Sequence, residues 1–128
     1  MKAILLLLAS AVAAPAQTSL GADAFDALTR GRTFLYSEQG VPYGAEDYLP
    51  NRRVRWSYLD GACIEGEWFP AGDMICFRYN ALDDLQCWTF YRQDGRLAAR
   101  FAGDPPERDL TAVEQTDPLV CPGPDLGV

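Results

Sequence analysis

From Thr33 onward the chain is cut every few residues by a turn signal. Pro50-Asn51, Asp60-Gly61, Pro70 to Asp73, Asn80 to Asp84 and Asp94-Gly95 all interrupt it. Between these breaks, aromatic and β-branched residues alternate with polar ones, which is the pattern of short half-buried strands. Connections this short join only neighbouring antiparallel strands, so the fold class is mainly β, a meander. Strands are predicted at Thr33–Ser37, Pro42–Leu49, Arg53–Leu59, Cys63–Phe69, Met74–Tyr79, Gln86–Arg92 and Arg96–Phe101. Leu110 to Val113 can supply an eighth, within a stretch rich in Pro and Asp that begins near Gly103 and otherwise reads as an irregular tail. Before the strands, Thr18 to Arg30 has helical spacing. Ser19 stands as a cap, Phe25 and Leu28 share one face, and Gly31 occupies the place of a glycine just past the helix end.

Opposite residues in a ladder share a face, so registers can be argued from the loops. A three-residue loop Asp60-Gly61-Ala62 sets Trp56 opposite Gly66 and Val54 opposite Trp68. The next hairpin then sets Gly66 opposite Phe77, and Trp68 opposite Ile75. Across Asp94-Gly95, Trp88 meets Phe101 and Phe90 meets Ala99. One aromatic face results: Trp56, Trp68, Phe77, Trp88, Phe90 and Phe101. Such a face has to be covered. The expectation is a small barrel-like or strongly curved sheet of seven to eight strands, with the N-terminal helix across one opening.

The same registers put Cys76 opposite Cys87, at the separation a disulfide needs. Cys63 lies too far along its strand from Cys76, and two strands away from Cys87, to bridge either. The expected pairs are therefore Cys76–Cys87 and Cys63–Cys121, the second stapling the tail to the sheet. An even cysteine count in an exported chain reads as disulfides, and no Cys-x-x-Cys spacing points to zinc.

Export is read from the first residues. Lys2, the apolar run Ile4 to Val12 and the small residues Ala14-Pro15-Ala16 follow the order of a signal peptide. The run is too short to cross a bilayer, which takes about 20 residues. The expected division is a signal peptide over 1–16 and one disulfide-stapled β domain over 17–128, periplasmic or secreted, with no membrane span. The whole chain carries a net charge of −7 and no histidine. Loss of Lys2 with the signal would leave it more acidic still. Acidity of this degree opposes binding to nucleic acid or to an anionic membrane. Absence of histidine removes the commonest general base, the commonest metal ligand and every histidine-dependent triad.

Four groups of residues invite a functional reading. Glu65 and Glu67 lie two apart on one strand, about 7 Å, a separation that overlaps that of glycosidase carboxylates. Arg55 opposite Glu67, with Glu46 flanking Arg55, makes a surface ion-pair ladder the better account. Arg52, Arg53 and Arg55 form a basic cluster that could grip an anion, though the acids nearby favour ordinary solvated charge. Asp83-Asp84 beside Asp60 gives a poor calcium signal without the spacing of a loop site. The aromatic face, with Trp56, Trp68, Phe77, Trp88 and Phe90 as its candidate ligand-binding residues, is either core or the lining of a small apolar-ligand site. No catalytic residue, cofactor or metal is expected.

The strings Arg53-Val54-Arg55-Trp56, Cys63-Ile64-Glu65-Gly66-Glu67-Trp68, Ile75-Cys76-Phe77-Arg78-Tyr79 and Cys87-Trp88 resemble a pattern in small exported Cys/Trp-rich β proteins of Gram-negative bacteria. The resemblance implies a shared β fold and a periplasmic or secreted location, and no reaction. In size, acidity and disulfide content the chain also resembles periplasmic lysozyme inhibitors, but it lacks their Ser-Gly-x-x-Tyr loop. The leading expectation is a monomeric, non-enzymatic domain that binds a protein partner of the cell envelope, a basic one being favoured by charge. A small-ligand carrier, a lysozyme-inhibitor-like protein and a carboxylate-based enzyme are the alternatives.

Overall fold

The computed structural model describes residues 7–11 and 18–122. Most of the expected signal segment, with its cleavage site, lies outside the described residues, as does the tail beyond Pro122. The helix α1, Ala22–Thr29, precedes eight strands: β1 Thr33–Glu38, β2 Val41–Tyr48, β3 Arg53–Ser57, β4 Ile64–Ala71, β5 Met74–Tyr79, β6 Gln86–Gln93, β7 Arg96–Phe101 and β8 Leu110–Gln115. Each strand pairs antiparallel with the next, and β8 returns to β1, so the meander closes into a barrel. Eight strands enclose a space that side chains can fill.

Of the predicted aromatic face, Trp56, Trp68, Phe77 and Phe90 are buried in the barrel, whereas Trp88 and Phe101 are only partly buried. Val54, Trp56, Trp68, Ile75, Phe77 and Phe90 are buried together with Phe34, Tyr36, Tyr48 and Tyr79. Trp88 pairs with Phe101, and Phe90 with Ala99, as expected. Two registers differ from expectation by two residues. Val54 faces Gly66 and Trp56 faces Ile64, because β3 stops at Ser57 and a longer loop leads to Ile64. Trp68 faces Phe77 and Gly66 faces Tyr79, because β4 and β5 meet across the tight Gly72-Asp73 turn. The glycine therefore does not sit between Trp56 and Phe77. A Cβ on Gly66 would come within 2.4 Å of the Arg78 carbonyl oxygen, so its missing side chain lets β5 close against β4.

One end of the barrel is sealed by α1. Phe25 is fully buried, and its ring meets those of Trp68 at 5.0 Å, Tyr48 at 5.5 Å and Phe90 at 4.5 Å. Helix formation does not use Ser19 as a cap. Gly21 takes the N-cap position, and Ser19 instead makes a β-bridge to Tyr91, while the Leu20 N–H donates to the Phe90 carbonyl. Gly31, at φ +76°, follows the helix as expected, and its N–H donates to the Tyr48 carbonyl.

Cys76 is joined to Cys87 across β5 and β6, and Cys63 to Cys121. These bonds, with no free cysteine left, mark an oxidising compartment outside the cytoplasm. Among the described residues no helix is long and apolar enough to cross a membrane. The tail pinned at Cys121 is held a second time by Asp47. This carboxylate is buried, yet it lies on the outer face of β2. It accepts the Thr33 hydroxyl at 2.6 Å, the Leu119 N–H at 3.0 Å and two Arg55 nitrogens at 3.0 and 3.1 Å. Asp47→Ala strands four donor groups on three residues and is expected to cost about 3 kcal/mol, read as a lower urea midpoint with an unchanged slope. A loss below about 0.5 kcal/mol would mean that water replaces the carboxylate freely.

Candidate functional site

The two ends of the barrel are built differently. The sealed end has the helix and the tight turns at 72–73 and 94–95. The other end carries the longer connections, 58–63, 80–85 and 102–109, with only the β1–β2 turn kept short. Exposed apolar side chains gather there: Val41, Tyr43, Tyr58, Leu59 and Leu85. Acids gather there as well. Asp60, Asp83, Asp84, Asp104 and Glu107 stand in these loops against Arg108. Asp109 is already spoken for. Arg100 grips it bidentately at 2.8 Å, and the Tyr91 hydroxyl also donates to it. Burial pulls its carboxyl up, but the Arg100 and Tyr91 hydrogen bonds outweigh that and hold it below the ordinary value.

Three rings form one wall of this open end. Tyr43, Trp56 and Tyr58 have centroids 5.5 to 6.0 Å apart. Their placement depends on two backbone features of β2. The β1–β2 ladder shifts register between Tyr36 and Ser37, where Gly44 pairs with Tyr36 and Pro42 with Ser37. Tyr43 is thus an extra residue, and a bulge of this kind re-aims a side chain. Gly44 then makes room for the indole. A Cβ there would come within 2.2 Å of the Trp56 ring.

Behind these rings is a cavity of about 40 Å³, lined among others by Tyr36, Glu46, Tyr79, Gln86 and Trp88. A larger cleft of about 260 Å³ adjoins it and shares Tyr43, Gln86, Trp88 and Leu110. Glu46 is 1 % exposed. Its carboxyl accepts the Tyr79 hydroxyl, at 2.8 and 3.1 Å to the two oxygens, and no arginine reaches it among the described residues. Beside it the Tyr36 and Tyr48 hydroxyls share a 2.6 Å hydrogen bond. Burial pushes the Glu46 carboxyl well above its ordinary value. The Tyr79 hydrogen bond opposes the shift and the charge of Asp47 adds to it. Tyr79 and Tyr48 are also driven well upward, both by burial first; the Glu46 charge comes next for Tyr79, and Tyr36 and then Glu46 for Tyr48. The barrel therefore holds an acid without a counter-charge, walled by aromatic rings, at the end that opens to solvent.

Of the residues singled out from sequence, Trp56, Phe77, Trp88 and Phe90 line this cavity. Trp68 does not line it. It packs on Phe25 at the sealed end, with the Arg52 guanidinium 4.7 Å from its ring centroid. Arg53 and Arg55 each face a carboxylate, Glu65 at 3.6 Å and Asp47 at 3.0 Å, so the three arginines are engaged separately. Glu65 and Glu67 are exposed on the outer face. Glu67 pairs with Arg78 at 3.0 Å, so the ion-pair ladder exists with different partners. Arg55 lies opposite Glu65 and not Glu67, because of the two-residue register difference. Glu46 does not flank Arg55, since it points into the barrel and Asp47 takes that place. Asp60, Asp83 and Asp84 do not combine into a cation site, for no cluster of three possible ligands occurs among the described residues.

Glu46, Tyr36, Tyr48 and Tyr79 were missed as site residues. A signal for the first was present. Glu46 and Asp47 are consecutive in a strand, and successive side chains point to opposite faces, so one of the two acids must enter a closed barrel. Compared with protein-family models, with curated proteins and with solved structures, the chain matches none.

Proposed function

We propose that the chain is a non-enzymatic binding domain of the cell envelope or the exterior, and that it takes a protein partner by the open end of the barrel. The observation that carries this reading is the asymmetry of the two ends. Val41, Tyr43, Tyr58, Leu59 and Leu85 are all exposed at the open end, among its longer loops. Grouped apolar exposure rimmed by polar residues is the usual mark of an interaction surface, and tyrosine is favoured in such surfaces. The acids of the same loops favour a basic partner. A periplasmic or secreted location fits the two disulfides and the leader-like N-terminus. The carrier alternative has less behind it. The aromatic-lined cavity is only about 40 Å³, and the adjoining cleft of about 260 Å³ is lined in part by the charged Glu38, Asp104 and Arg108, where small-molecule pockets are mostly apolar.

The test is site-specific photo-crosslinking in the exporting cell, from Leu59 and Leu85 at the open end and from Asp73 and Asp94 at the sealed end. The expected result is one discrete adduct from the first two positions, lost when Tyr58→Asp is added, and none from the other two. Adducts of equal yield from both ends would remove the basis for the reading.

A further inference from the structure

Resting on that reading, we infer that the partner presents a lysine side chain, whose ammonium enters the open end and sits against the aromatic wall above Glu46. The argument begins with an imbalance. A buried carboxyl normally faces a cation or several donors. Glu46 has the Tyr79 hydroxyl only. The other residues that line the same cavity are aromatic, aliphatic or neutral amide, Tyr36, Trp88 and Gln86 among them. Aromatic faces attract cations, and they do so most strongly where water is displaced. This lining contains no cationic side chain.

The size of the space selects among cations. An ammonium is the more compact cation, with its three donors on one atom, whereas a guanidinium spreads five over a rigid planar fork; a space of about 40 Å³ favours the former. An ammonium has three donors, and three kinds of acceptor surround the space: the Glu46 carboxylate, the Tyr36 and Tyr48 hydroxyl oxygens, and the Gln86 amide oxygen. Approach is favoured by the acidic loops around the rim. Charge balance is kept on binding: the carboxyl releases its proton to solvent, and the ammonium takes its place as the positive partner. Affinity therefore rises with pH. The titratable groups facing Glu46 are Tyr79 from β5, Tyr36 from β1 and Tyr48 from β2, with Asp47 adjacent in the chain.

The test uses n-butylammonium, which has the shape of a lysine side chain, and n-butanol as its neutral counterpart. Binding to the folded protein is followed through the Trp56 and Trp88 indole N–H signals in nitrogen-15 NMR spectra, at pH 5 and pH 8. The expected result is saturable binding of n-butylammonium, stronger at pH 8, at least tenfold weaker in Glu46→Gln, and at least tenfold tighter than n-butanol. Tyr58→Ala, at an exposed position, is expected to weaken it as well. Equal binding of the alcohol, an unchanged affinity in Glu46→Gln, or no binding of either probe would overturn the lysine assignment. The crosslinking result from the rim is unaffected by any of these outcomes, so the two readings can fail separately.

Discussion

Phe25→Ala is expected to lower stability by about 4 kcal/mol, within the range for removing a fully buried phenylalanine ring. For a domain of this size that is roughly 20 °C in melting temperature. The reason lies in what the ring closes. Phe25 comes from the helix, outside the sheet, yet it contacts rings on β2, β4, β5 and β6. It is the one side chain of α1 that is fully buried and aromatic, and Thr29, buried beside it, donates its hydroxyl back to the Phe25 carbonyl at 2.8 Å. Neighbouring rings belong to strands already locked in a closed ladder, so they cannot collapse into the vacated volume, and the cavity term is kept in full. Leu28→Ala, a partly buried position on the same helix, is expected to cost well under half as much. Equal losses at the two positions, in urea unfolding, would mean that the helix docks diffusely and that Phe25 is not the plug.

The second large effect is a pH dependence that belongs to one residue. With its pKa raised in the folded state, Glu46 contributes stability that is fully present below its unfolded pKa, ordinarily 4.5. Above that, the unfolded chain loses the proton while the barrel retains it. Stability then falls by up to about 1.4 kcal/mol for each pH unit, until the folded pKa is passed and the loss levels off. Glu46→Gln removes this slope. The variant is expected to match the wild type near pH 4.5 and to exceed it increasingly through neutral pH, with the Tyr79 hydroxyl still donating to the amide oxygen. Parallel stability curves for the two proteins between pH 4.5 and pH 8 would place the carboxyl in water, not in the barrel.

What could be read from the sequence, and what could not, follows from the period of a strand. A slip of two residues keeps every side chain on its face and changes only its neighbours. The inward set Val54, Trp56, Gly66, Trp68 and Phe77 could therefore be found even though the β3–β4 and β4–β5 partners were each two residues out. Those slips came from the loops. Residues 58–63 form one long connection, and the β4–β5 turn is shorter than Pro70 suggests, because Pro70 and Ala71 continue the strand. The Cys76–Cys87 pairing does not depend on those loops, as its own ladder fixes it.

The site was less legible for a different reason. In Val41 to Tyr48 neither phase of the alternation is cleanly apolar: Tyr43, Ala45 and Asp47 compete with Gly44, Glu46 and Tyr48. The bulge at Tyr43 lets residues of both phases reach the barrel interior, which a strict period of two does not allow. Asp47 adds to the ambiguity, being buried on the outer face by Arg55 and the tail residue Leu119, a contact made across most of the chain. Charge pairing read along the sequence thus gave Arg55 the wrong acid, and left Glu46 on the surface.

The most direct measurement is a carbon-13 NMR titration of the Glu46 side-chain carboxyl, run with and without n-butylammonium. Alone, the carboxyl is expected to stay protonated well above pH 4.5, and the added ammonium is expected to shift its titration toward lower pH. A carboxyl that titrates at the ordinary value, unmoved by the ammonium, would contradict a buried acid awaiting a cation at the open end of this barrel.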